Sequence, residues 1–146
     1  MTNVIIEDSR WDNVSIDFDL IVSKIRDHLK VKDSEETGFS LLMTGDDDIQ
    51  TFNAAYRAKD KPTNVLSFPC TDIKGYIGDM ILSYDTVERE ASEQKKAIQD
   101  HSIHMIIHGF LHLLGFDHIH DDEAEIMEGH EIAILSSLNI KNPYDN

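Results

Sequence analysis

His108-Gly-Phe-Leu-His-Leu-Leu-Gly-Phe-Asp-His118 is the stretch on which the reading of this chain turns. It closes a helical pattern expected from about Ser102 to Leu114. His108 and His112 are four positions apart, so on a helix they share one face, with Cβ atoms about 5–6 Å apart. That separation lets two imidazole nitrogens converge on one ion at about 2.0–2.1 Å. Gly115 follows three positions later, where a left-handed residue ends the helix and turns the chain. Phe116-Asp117-His118 then returns a third imidazole to the same point. Three protein ligands leave the fourth tetrahedral position open, which is the arrangement of a catalytic zinc. Neutral imidazoles favour Zn²⁺ over Mg²⁺ or Ca²⁺, with Ni²⁺, Cu²⁺ and Fe²⁺ as other suitable metals. Such an ion lowers the pKa of its bound water to about 7 and polarises a carbonyl or phosphoryl oxygen.

Outward from this motif the pattern predicts a strand at Asn3–Ile6. A helix with Phe18, Ile21, Val22, Ile25 and Leu29 on one face should follow, ending near Val31. Gly38–Thr44 reads as a buried strand. Thr44 and Asp47 form a capping box opening a helix whose inner face carries Ile49, Phe52 and Tyr56. Val65–Phe68 is a strand stopped by Pro69, and Tyr76–Ser83 is another, with Gly75 in a loop able to close a hairpin. One helix is expected from Asp85 to about Gln99, a second from about Ser102 to Leu114 and a third from about Asp121 to Leu138. Early strands and late helices give an α+β fold. Its small mixed sheet packs with about five helices, and the metal-bearing helix lies in the C-terminal half. No repeat or Pro/Gly/Ser linker divides residues 1–146, which read as one domain.

Composition narrows the function classes. A domain of 146 residues with 40% hydrophobic residues and three prolines fits a globular fold that buries about two-thirds of its unfolded surface. No apolar run approaches the ~18 residues of a membrane span. The start of the chain lacks the basic and apolar regions of a secretory signal. A single cysteine, Cys70, forms no intrachain disulfide and reads as a small, partly buried hydrophobe. These features point to the cytoplasm. A net charge of −15 argues against gripping long nucleic acids by charge alone, so an RNA substrate would need a local basic patch, a metal or a partner.

The remaining histidines rank lower. His101 and His104 fall on nearly one helical face, but no turn glycine and third ligand accompany them. They read either as supports behind the metal ligands or as partly buried surface. His120 should be exposed in an acidic segment, and His28 and His130 are ordinary amphipathic-helix residues.

The ligand spacing equals that of the metzincin zinc proteases, His-Glu-x-x-His-x-x-Gly-x-x-His. The glutamate that serves there as general base is here Gly109, so peptide cleavage loses its proton acceptor. With Gly at that position, the motif resembles that of the YbeY family of bacterial endoribonucleases, which act in ribosomal RNA maturation and ribosome quality control. A second block agrees with that family: Phe52-Asn-x-x-Tyr-Arg-x-Lys-Asp-Lys-Pro-Thr-Asn-Val-Leu-Ser-Phe-Pro69. Gly78-Asp79 and Asp121-Asp-Glu-Ala-Glu125 also agree, so the likeness runs from about Thr44 to Tyr144. Asn64 departs from it, since the family more often has Asp.

The resemblance implies one Zn²⁺ ion on His108, His112 and His118, with Arg57 facing the active site and RNA, ribosomal RNA, as substrate. On the residues alone, Arg57, Lys59 and Lys61 form a rare basic cluster in an acidic chain. They read either as a solvated loop after a helix or as a phosphate clamp, since a guanidinium holds phosphate bidentately. Asp117 stands beside the third ligand, either as proton acceptor or as a group orienting a ligand histidine. Three functions remain open. The leading one is a zinc-dependent, single-strand-directed endoribonuclease. The second is a metallohydrolase of another substrate class. The third is a non-catalytic, zinc-stabilised ribosome-assembly factor. Ribosomal particles or a basic ribosomal protein are the expected partners, and no membrane is.

Overall fold

A computed structural model describes residues 2–32 and 36–145 of the chain. Four strands, β1 (Thr2–Ile6), β2 (Gly38–Thr44), β3 (Val65–Pro69) and β4 (Tyr76–Ser83), form one mixed sheet in the order β1-β2-β4-β3. β1 and β4 both run parallel to β2, while β3 returns antiparallel to β4 through the expected hairpin at Gly75. Among the described residues there are five α-helices: α1 (Phe18–Leu29), α2 (Asp46–Arg57), α3 (Tyr84–Glu93), α4 (Ile98–Leu113) and α5 (Asp121–Ser137). The α+β expectation holds, with the motif-bearing helix as α4. None of these helices is long and apolar enough to cross a membrane.

The two-residue period of the strands sorts side chains to the two faces of the sheet. Phe39, Leu41 and Met43 of β2 and Met80 and Leu82 of β4 pack with Met105, Ile106 and Phe110 of α4. Leu42, Leu66, Phe68 and Ile81 point the other way, onto Ile49 and Phe52 of α2. α4 is the spine of the larger cluster, burying Ile106, Ile107, Phe110 and Leu111 almost completely. Each such side chain contributes about 1.5–3 kcal/mol relative to exposure. Gly109 allows the helix to lie this close to the sheet. A Cβ there would come within 2.7 Å of Met80 Sδ and 3.0 Å of Ser67 Oγ. Ser67 Oγ instead donates to Gly109 O at 2.9 Å, pinning α4 to β3.

Three local expectations are corrected. The helix expected from Asp85 to Gln99 stops at Glu93, and α4 begins at Ile98, so the break falls at Gln94–Ala97 rather than at Asp100–His101. Lys95 adopts φ 56° and Lys96 N–H donates to Ala91 O at 3.0 Å, closing the turn. This reversal lays α4 back against α3. The capping box is absent: Gly45 is the N-cap of α2, and Thr44 Oγ1 donates to Asp48 Oδ2 at 2.6 Å. The first-turn Asp46 N–H is satisfied instead by Asp85 Oδ2 at 2.9 Å, from the start of α3. Tyr56 does not face inward. It is 67% exposed, and the buried positions on that helix are Ile49 and Asn53, whose Nδ2 donates to Lys61 O at 2.8 Å.

Candidate metal centre and its cleft

α4 ends as its sequence demands. Gly115 has φ +102°, Gly115 N–H donates to His112 O at 3.0 Å, and Phe116 N–H donates to Leu111 O at 3.0 Å. This pair of bonds is the Schellman closure. It swings His118 over the two helical histidines, with ring centroids 4.9 Å from His112 and 5.5 Å from His108. One nitrogen from each of the three lies within 4.8 Å of the others, so the set has the reach to hold a metal ion.

The hydrogen bonds behind the rings decide which nitrogens face inward. His112 Nδ1 donates to Phe116 O at 3.0 Å, so the turn that ends the helix also fixes the tautomer of a histidine on it. His108 Nδ1 meets Glu131 Oε2 at 3.0 Å. With both Nδ1–H groups engaged, each neutral ring leaves Nε2 as a bare lone pair. These two Nε2 atoms sit 3.1 Å apart. Two lone pairs at that distance repel unless a cation lies between them, and two tetrahedral ligands at zinc distances stand about 3.3 Å apart. The donor set therefore fits a metal. Burial, with the neighbouring His108 and His118 rings, pushes the His112 pKa down, which keeps it neutral and able to ligate.

Glu131 was not anticipated. It is 1% exposed, on α5, and its Oε1 accepts from Tyr144 Oη at 2.7 Å and from His104 Nε2. Burial pushes its carboxyl up, but the hydrogen bonds from His104, His108 and Tyr144 outweigh that and bring it down to about 2. Burial also pushes the His104 pKa down, so a neutral imidazole donates to an ionised carboxylate. The sequence carried one sign of this. Met127, Glu131, Ile134 and Leu135 share the buried stripe of α5, and an acid in an apolar stripe needs a partner.

The other predicted residues fall into place around this core. His104 supports the site through Glu131. His101 is buried at 2% and its Nε2 meets Glu90 Oε1 at 2.9 Å, joining α4 to α3. Neither is partly exposed surface. Asn64 Nδ2 donates to the same Glu90 oxygen at 3.0 Å, a contact that an Asp would turn into repulsion. His120 is exposed. His28 and His130 join α1 to α5 by a 2.9 Å contact away from the centre.

A cleft of about 730 Å³ opens on the metal-facing side, lined by the three histidines together with Arg57, Lys59 and Asp117. Lys61 does not line it. Arg57 reaches around the sheet edge from the end of α2. Its Nη2 donates to Ser67 O at 2.5 Å and its guanidinium lies 5.2 Å from the centre of the Phe68 ring. β3 is an edge strand, so Arg57 covers a carbonyl on an otherwise open border. Asp117 Oδ1 accepts from His118 N–H at 2.7 Å. It braces the backbone of His118, whereas the orienters of the His108 and His112 rings are Glu131 and Phe116 O.

A mixed sheet backed by a helix with two inward histidines, and a third returned by a glycine turn, defines an α+β protein with an open-sided cluster of three histidines that could hold a metal ion. Residues 5–139 match the family model described as Endoribonuclease YbeY. The chain belongs to that family. A relative from Allorhizobium ampelinum named Endoribonuclease YbeY is 50% identical over 111 residues, 72% of this chain and 66% of the relative. Another of that name from Rhizobium leguminosarum bv. trifolii is 47% identical over 128 residues, 79% of this chain and 75% of the relative. The solution structure of TM1509 from Thermotoga maritima matches with TM-score 0.60 and 22% identity. It covers 100% of this chain and 97% of that one, and it speaks for the fold.

Proposed function

We propose that the chain is one metal-dependent hydrolase domain, a zinc endoribonuclease that cuts single-stranded ribosomal RNA in the cytoplasm during ribosome maturation and quality control. The relatives' shared name supports the reaction class. The observation that carries the mechanism is the meeting of two bare Nε2 atoms, 3.1 Å apart, in the cleft that Arg57 enters.

His108, His112 and His118 would hold Zn²⁺, which supplies a water of lowered pKa at neutral pH. Arg57 binds the scissile phosphate and offsets the charge that develops as the phosphodiester is attacked. Its contacts to Ser67 O and Phe68 hold the guanidinium in place before substrate arrives, which limits the ordering cost of binding. Asp117 would take a proton from the attacking water at the oxygen not engaged by His118 N–H. Glu131 and Phe116 O keep the ligand rings in the metal-binding tautomer. Ribosomal particles, through a basic ribosomal protein, would bring the substrate to this acidic surface. A peptide substrate is disfavoured, because position 109 faces Met80, Ser67 and Val65 of the sheet and leaves no room for a catalytic glutamate.

Metal-loaded protein should cleave unstructured RNA, and His112→Ala and Arg57→Ala should each remove most of that activity. Cleavage unchanged in both variants would refute the assignment.

A further inference from the structure

Tyr56 has no structural task that explains its position. The small core under α2 is closed by Phe52 and Phe68, which pack on Ile49, Leu66 and Ile81. Tyr56 lies outside that cluster with 67% of its surface in water. Its ring is nevertheless held: it stacks on Phe52 at 6.2 Å with an interplanar angle of 16°, and meets Phe68 edge-on at 5.5 Å. The result is a preset aromatic plane with an open face. The Arg57 guanidinium sits on the same Phe68 ring at 5.2 Å. Phenol and guanidinium are therefore no more than about 11 Å apart, a span of about one to two nucleotides. The flanking sequence, Arg57, Lys59 and Lys61, is a cationic cluster in a chain of net charge −15, so a polyanion has little else to follow here.

We propose that Tyr56 is a stacking platform for an unpaired base of the RNA strand whose scissile phosphate Arg57 holds. The inference rests on the proposed function and adds a subsite to it. Stacking on an exposed aromatic contributes about 1–3 kcal/mol per base and tolerates every base, because each has a π face. It also selects against duplex, whose bases are already stacked, and so gives a physical reason for single-strand preference.

The test uses metal-loaded full chain and a uridine-rich unstructured oligonucleotide, with a single abasic nucleotide walked along it. Tyr56→Ala should weaken binding, or raise KM, about 5- to 160-fold for the intact oligonucleotide. Tyr56→Trp should restore it, with metal content and thermal stability unchanged in both. At one position the abasic substitution should cost the wild type a comparable factor and cost Tyr56→Ala nothing more. Equal affinity of wild type and Tyr56→Ala for intact RNA would overturn the platform alone. So would equal loss on intact strands and on strands abasic at every position tried. Absence of RNA binding and cleavage by the wild type would overturn the proposed function as well.

Discussion

Replacing Glu131 by Gln should loosen the metal centre without altering the fold. The carboxylate is buried on α5 and serves three donors, with His108 Nδ1 at 3.0 Å, Tyr144 Oη at 2.7 Å and His104 Nε2. Gln fills the same volume but exchanges one acceptor oxygen for an NH₂ donor and removes a negative charge. If the amide faces His108, Nδ1 must become an acceptor, and the proton moves to Nε2, the atom aimed at the ion. If it faces His104 and Tyr144, the buried His104 and the half-exposed Tyr144 hydroxyl lose the acceptor they share. Either orientation costs metal binding, by the 10–100-fold typical of losing a ligand's supporting carboxylate, or about 1.4–2.7 kcal/mol. The assay is competitive Zn²⁺ titration against a chromophoric chelator, with the melting temperature of the metal-free variant measured alongside. A dissociation constant within twofold of wild type, in a protein that melts normally, would refute the role given to Glu131.

Two further outcomes follow from the same packing. Gly109→Glu recreates the protease-like motif, yet it should yield no peptidase. It should also destabilise the fold by about 3 kcal/mol or more, since a carboxylate would be driven into β3 and β4; peptide-library digestion and urea unfolding check both halves. Hydrogen bonds from Arg10 hold the carboxyls of Asp8 and Asp85 below the usual range. Their contribution is thus complete above the unfolded carboxylate pKa near 3.9 and fades as pH falls through the lowered folded values. Thermal melts from pH 6 to pH 2 should therefore show a shallower acid-side decline for Arg10→Ala than for wild type, and parallel curves would contradict the linkage.

The metal motif was legible because its logic is local. Spacing on one helix fixes His108 and His112, and a left-handed Gly115 fixes where the chain turns, so neighbours in sequence settle nearly the whole geometry. The strands were legible for a similar reason, through their alternating or buried apolar runs. What failed was non-local. The turn at Gln94–Ala97 is made of good helix formers. Only the packing of α4 on α3, with His101 reaching Glu90, forces Lys95 into a left-handed conformation. Tyr56 continued the apolar spacing of α2, but the sheet is too narrow beyond Phe68 to cover it.

By itself, then, the sequence determined the cluster of three histidines, the turn that assembles it, the sites of the four strands and the basic cluster ending at Lys61. Tertiary structure alone decided the strand order, the reach of Arg57 around the edge of β3 and the carboxylate of Glu131 behind His108. The physical reason is range. Helical periodicity and turn stereochemistry act over a few residues, whereas a buried charge or an edge carbonyl finds its partner only once distant segments have packed together.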